Sequence, residues 1–178
     1  SFGADLSRNE VDVFFTGSGA RHSYKALLYG RRKQQQACYT VMSHEKKQNE
    51  SHQDIRALAA DQAQMTVDGH IQVGENCAST VAHLHNRNVL LGEQAVINTK
   101  PALVIDNDDV MCSHGATVGQ LDSAALFYLQ SRGIPEAEAR NVLLSSMVYS
   151  LFDDMTDSLL REYVERCLVD QHILMEGI

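Results

Sequence analysis

Between Leu6 and about Val118 the chain alternates short apolar runs with polar punctuation. Val11–Thr16 ends at Gly17-Ser18-Gly19, and Tyr24–Tyr29 ends at Gly30-Arg31-Arg32. The same texture continues through Ala37–Met42, Asp54–Leu58, Gln64–Val67, His70–Val73, Ser79–His83, Asn88–Leu91, Ala95–Thr99 and Ala102–Ile105. Val, Ile, Thr and Tyr fill these runs, while Gly, Asn, Asp and Gln separate them, so each is predicted to be a strand. Ala57–Gln64 resists, because Ala-Leu-Ala-Ala carries helical propensity. The spacing suits a sandwich or a solenoid, and no hexapeptide repeat decides between them.

After Leu121 the period changes. Asp122 or Ser123 is a plausible N-cap, Leu126 and Leu129 share a face, and Gly133 suits the position after a helix end. Pro135 fits the first position of a second helix, with Glu136 and Glu138 favouring its N-terminus. Val142, Leu143, Met147 and Leu151 give that helix an apolar face. Phe152–Thr156 reads as a break, and Leu160, Val164, Cys167 and Leu168 follow helical spacing in a third helix.

Composition narrows the function. With 178 residues the chain has room for one or two domains and a substantial core. Net charge is −8, and Arg31-Arg32-Lys33, the densest basic cluster, reads as a solvated turn rather than a nucleic-acid site. No signal-type run or membrane-length apolar stretch is present. Cys38, Cys77, Cys112 and Cys167 are scattered without a C-x-x-C pair, which argues against a zinc knuckle or disulfide framework and for a reducing, cytoplasmic setting. Walker, G-x-S-x-G, H-E-x-x-H and Rossmann sequences are lacking, so no self-contained nucleotide site is encoded.

The candidate chemistry lies in Asp108–Asp122. In an extended strand Cys112 and His114 project from one face. The pair offers a soft and a borderline metal ligand, or a nucleophile beside a base, or simply a small buried Cys next to a surface His. Two donors do not close a metal site. His83 and His85 form a second same-face pair that a third ligand from a neighbouring coil would complete, or a solvated ladder on the outer wall. His44 and His52 flank Glu45–Ser51, which reads as an exposed loop.

Cys112-Ser113-His114-Gly115-Ala116-Thr117-Val118-Gly119-Gln120-Leu121-Asp122, with Leu126-Phe127-Tyr128-Leu129 and Ser131-Arg132-Gly133-Ile134, resembles the SufB/SufD family of iron–sulfur cluster assembly scaffolds. Asn86-Arg87-Asn88-Val89-Leu90-Leu91, Asn98-Thr99-Lys100-Pro101 and Leu6-Ser7-Arg8-Asn9 agree in order, and Cys-Ser-His-Gly is similar to the SufD branch. Family members are about twice this long, so the resemblance implies a C-terminal portion.

It implies a mainly β fold: part of a right-handed parallel β-helix over residues 1–121, then a small helical domain over 122–178. In that fold Ala59–Gln62 is expected to be a turn bearing Asp61, and Cys112 to sit where strand gives way to helix. The resemblance further implies a non-enzymatic scaffold. Its helical domain would dock the SufC ATPase, sought on Gly133–Ser150, and ATP-driven motion there would reshape the contact with SufB. His114, and after it Cys112, would ligate iron or a transient iron–sulfur cluster shared with a SufB-like subunit, with none held by the chain alone. Of the family's His-rich strand only His44 is echoed. In isolation a homodimer through the vacant interface is expected, with no nucleic-acid or membrane partner. Two competing readings are a metal-dependent enzyme in which Cys112, His114, His83 and His85 converge, and an inert β-solenoid module.

Overall fold

In the computed structural model, which describes residues 3–170, the chain divides into two compact units meeting at Gly119–Gln120. The first is a parallel β-helix of about four turns, built from β1 (Leu6–Phe15), β2 (Arg21–Gly30), β3 (Gln35–His44), β4 (Glu50–Ala59), β5 (Gln64–Val73), β6 (Thr80–Leu90), β7 (Val96–Thr99), β8 (Ala102–Ile105) and β9 (Val110–Gly119). One sheet runs β1-β3-β5 and then β7, with β8 also on β5; the other runs β2-β4-β6-β9. Every pairing is parallel and in register. Leu6 pairs with Gln35 and Gln35 with Gln64, a rung of 29 residues, which lengthens to 32 between Gln64 and Val96.

Because side chains alternate along a strand, registered stacking turns each inward position into a column. Val13, Met42 and Ile71 form one column of the first sheet; Ala26, Ile55 and Asn86 form one of the second. Met42, Ile55, Met65, Val67, Ile71, Ala82 and Leu84 are buried between the sheets. Gly69 is required there. A Cβ at that position would stand 2.8 Å from Leu84 Cδ2, so the missing side chain is what lets Leu84 fill the interior.

Stacked turns close the rungs. Asp61 (φ 55°) lies in the turn expected at Ala59–Gln62, where its Oδ2 accepts from Arg32 N at 2.8 Å one rung earlier. The loop after β3 departs from expectation. Only Glu45–Gln48 are exposed; Asn49 and Ser51 are buried, as is His44. Asn49 Oδ1 accepts from Ala20 N (2.8 Å), and its Nδ2 donates to Gly17 O (2.9 Å) and Lys46 O (2.8 Å), so one amide ties two rungs.

Two expected breaks are absent. Gln64–Val67 and His70–Val73 are one strand, as are most of Ser79–His83 and most of Asn88–Leu91. The real interruption falls at Lys100-Pro101, between β7 and β8. Proline lacks the N–H a ladder needs.

The second unit holds α1 (Ser123–Ser131), α2 (Glu136–Tyr149) and α3 (Ser158–Asp170). Asp122 Oδ1 caps α1 by accepting from Ala124 N and Ala125 N, and Gly133 follows its end at φ 86°. Pro135 is the N-cap of α2 rather than its first helical residue, so Glu136 opens the helix. Ala139, Ser145, Val148, Leu151 and Leu168 are the buried residues of this unit among those described. Among the described residues its large exposed apolar side chains are Phe127 and Tyr128 on α1 and Leu159, Leu160 and Tyr163 on α3.

Candidate functional site

β9 is the last strand of its sheet and pairs with β6 alone. Its other edge therefore offers a row of backbone donors and acceptors with no strand partner among the described residues. Cys112 stacks on Ala82 and His114 on Leu84. Since Ala82 and Leu84 are buried in the core, Cys112 and His114 point to the inner side of the wall, side by side as their spacing predicts. Nothing stacks on them in turn among the described strands, so inward-facing chemistry reaches the surface at this rung. His114 is exposed, while Cys112 is half-buried and packs against the core cluster. Cys112 is the third residue of a ten-residue strand, not a residue at the strand-to-helix boundary.

Burial pushes the Cys112 thiol up from its ordinary value, and a backbone hydrogen bond at Ala82 opposes this only in part. The sulfur is thus a thiol at neutral pH, and a metal would have to displace its proton. His114 has no side-chain partner among the described residues, which leaves its imidazole available to whatever faces this rung. The surroundings suit docking. Met111 (65% exposed), Val118 (42%) and Ile105 (39%) put apolar surface on β9 and β8.

Asn86 and Asn88 belong to a stretch that carries the family resemblance, but the sequence alone gives them no role; in the fold they hold this rung. Both face inward beneath Ala116 and Val118. Asn88 Nδ2 donates to Thr117 O (3.0 Å), fixing β9, and Asn86 Nδ2 donates to Thr99 Oγ1 (2.5 Å), joining the two sheets. The signal was available: two amides at i and i+2 in a strand whose alternate residues are otherwise core.

His83 and His85 lie on the opposite face. His83 pairs with Ser113 and His85 with Gly115, between the inward positions, so both point outward. The thiol and imidazole of β9 and the two imidazoles of β6 are separated by the wall, and the converging four-residue site of the enzyme reading does not form. Among the described residues no three His, Cys, Asp or Glu side chains already stand together as a metal site. No helix among them is long and apolar enough to cross a membrane.

The family model described as "SUF system FeS cluster assembly, SufBD core domain" matches residues 1–147. The iron–sulfur cluster assembly protein SufD of Escherichia coli (strain K12) is 35% identical over 125 residues, covering 70% of this chain and 30% of that protein. SufD of Bacillus subtilis (strain 168) is 29% identical over 167 residues, 94% of this chain and 37% of its own. The chloroplastic protein ABCI7 of Arabidopsis thaliana is 36% identical over 105 residues, 59% of this chain and 22% of its own. The chain spans about a third of the length of the curated relatives it matches.

Proposed function

This chain belongs to the SufB/SufD family of the SUF iron–sulfur cluster assembly system, and from that membership we propose that it is a non-catalytic scaffold subunit whose last rung supplies half of a shared iron or cluster site. The observation that carries this reading is the pairing of an unpartnered strand edge with inward donors laid bare on the same strand. A SufB-like subunit would add its own strand to the β9 edge, a recognised mode of strand addition. His114, and after it Cys112, would then face donors on that subunit.

Two donors are too few for a cluster, and a facing chain supplies the remainder. Imidazole binds iron without losing a proton from the coordinating nitrogen. The Cys112 thiol must first be deprotonated, so His114 is the leading ligand and Cys112 the second. The cluster or iron is cargo, transient and shared, and the isolated chain holds none.

The helical unit would dock a SufC-type ATPase. The exposed apolar side chains on α1 and α3 favour those helices over the stretch Gly133–Ser150, where α2 leaves no large apolar side chain exposed. A nucleotide-driven movement of that ATPase would reach β9 through Gly119–Gln120, where the two units join in sequence. Without partners the β9 edge would pair with a second copy, giving a homodimer in dilute solution; a mass measurement returning only monomer contradicts this.

Co-expression with SufB-like and SufC-like subunits tests the reading. The complex is expected to form with His114→Ala and to lose most of its cluster after anaerobic reconstitution. Undiminished cluster in both His114→Ala and Cys112→Ala would make the pair structural and leave only the docking role.

A further inference from the structure

The outer wall of the second sheet carries a group of imidazoles that the scaffold role does not use. His52 on β4 pairs in register with His83 on β6, and their ring centroids are 5.2 Å apart. His85 follows two residues after His83 on the same outward face. The strand of the neighbouring coil thus supplies the third donor that the His83-Leu84-His85 spacing called for.

Hydrogen bonds leave usable lone pairs on two of the rings. His52 Nε2 lies 2.8 Å from Glu50 Oε1; with Nε2–H donating to that carboxylate, Nδ1 is the open nitrogen. His83 Nδ1 lies 2.6 Å from Ser113 Oγ; with Nδ1 as donor, Nε2 is the open nitrogen. A metal-binding histidine characteristically has its second nitrogen held in this way, by a carboxylate or another oxygen. His85 is exposed, and the adjacent position on β9 is Gly115, which has no side chain to cover it.

We propose that His52, His83 and His85 bind one divalent transition-metal ion on the outer face of the solenoid, separate from the Cys112/His114 rung. Neighbouring strands are about 4.8 Å apart and alternate residues about 6.6 Å apart along a strand, so all three side chains stem within imidazole reach of one point. The rings do not yet converge, and binding draws them together by rotation about χ1 and χ2. His52 and His85 are exposed enough to turn, and metal–nitrogen bonds of about 2.0–2.1 Å set the end point. Imidazole donors select zinc, copper, nickel or iron over magnesium or calcium. Asp54, opposite His85, is engaged by Arg56 at 3.0 Å and is not assigned as a ligand. The ion would staple the β4 and β6 rungs together.

Titration of the full chain with Zn²⁺ by calorimetry, and with Cu²⁺ by electron paramagnetic resonance, tests this. One equivalent of each is expected, with nitrogen hyperfine structure from more than one imidazole on copper. His83→Gln should weaken binding at least tenfold, and Ser113→Ala, which frees the His83 ring, about tenfold. The double variant Cys112→Ser/His114→Ala should bind as the unaltered chain does. The proposal is overturned if no stoichiometric ion binds, if copper shows a single imidazole, or if binding survives His83→Gln and is lost in the Cys112/His114 variant. Circular dichroism of each variant separates lost ligands from lost fold.

Discussion

His44 makes the interior of the solenoid acid-sensitive by a calculable amount. Its ring is 2% exposed, stacked on Phe15 at 4.2 Å with planes 5° apart, and its Nε2 lies 2.9 Å from Ser51 Oγ. Nδ1 is buried with no partner among the described residues, so a second proton there would be charged and unsolvated. Burial accordingly pulls the His44 pKa down to about 4. In the unfolded chain an imidazole titrates near 6.5. The folded value is the lower one, so as pH falls the unfolded state takes the proton first. The stability is fully present above about pH 6.5, falls as pH drops toward about 4, and levels below that. Each pH unit in the window costs about 1.4 kcal/mol, so the step from about pH 7 to about pH 4.5 costs about 2–3 kcal/mol. Urea denaturation followed by circular dichroism at both pH values measures it, with His44→Gln as the control that cannot titrate. Carboxylates titrate alike in both proteins and cancel in the comparison. Equal acid losses in the two proteins would refute the argument.

Three further outcomes follow from the same geometry. Asn49→Ala removes three hydrogen bonds, two of which tie neighbouring rungs, and should lower stability by about 2–3 kcal/mol in denaturant titration; Asn49→Asp should be no better, since its carboxylate would face two carbonyl oxygens. Gly69→Ala forces a methyl against Leu84 and should cost about 1–3 kcal/mol, recovered in part by Leu84→Val, with thermal melts as the readout. Cys112 should alkylate faster than the buried Cys38 and Cys77 yet slower than a small-molecule thiol at neutral pH, because its pKa is raised; its rate should climb with pH and fall when a SufB-like subunit covers β9. Unchanged labelling of Cys112 in the complex would count against burial at that interface.

The sequence discloses some of this architecture through local chemistry. The turn at Asp61, the Asp122 cap, Gly133 and the period change at Leu121 all depend on neighbours in the chain. Cys112 and His114 share a face for the same reason: strand periodicity is local. Which face they take is not, because it depends on Ala82 and Leu84 one rung earlier. Asp68-Gly69 has the residues of a tight turn, yet β3 pairs with β5 straight through it, and Gly69 serves the interior instead of a bend. Leu84–Arg87, between two predicted strands, reads as a break since an apolar interior leaves no place for Asn86. In this solenoid Gln36, Thr40, Gln53, Asn86 and Asn88 are inward and buried, and Thr40 Oγ1 to Gln53 Oε1 at 2.6 Å shows how part of that polarity is satisfied. Polar inner positions blur the alternation that would reveal a rung of 29 residues. The histidine group was half visible: spacing pairs His83 with His85, but only the register between coils adds His52.

The central claim is that His114 on the exposed last rung ligates the shared iron or cluster. The most direct measurement is electron–nuclear double resonance on the reduced, reconstituted complex, with nitrogen-15 histidine introduced into this chain alone. The account predicts a strongly coupled nitrogen that disappears in His114→Ala while the three-subunit complex remains intact. A cluster with no nitrogen coupling from this chain, or with coupling that persists in His114→Ala, would contradict it.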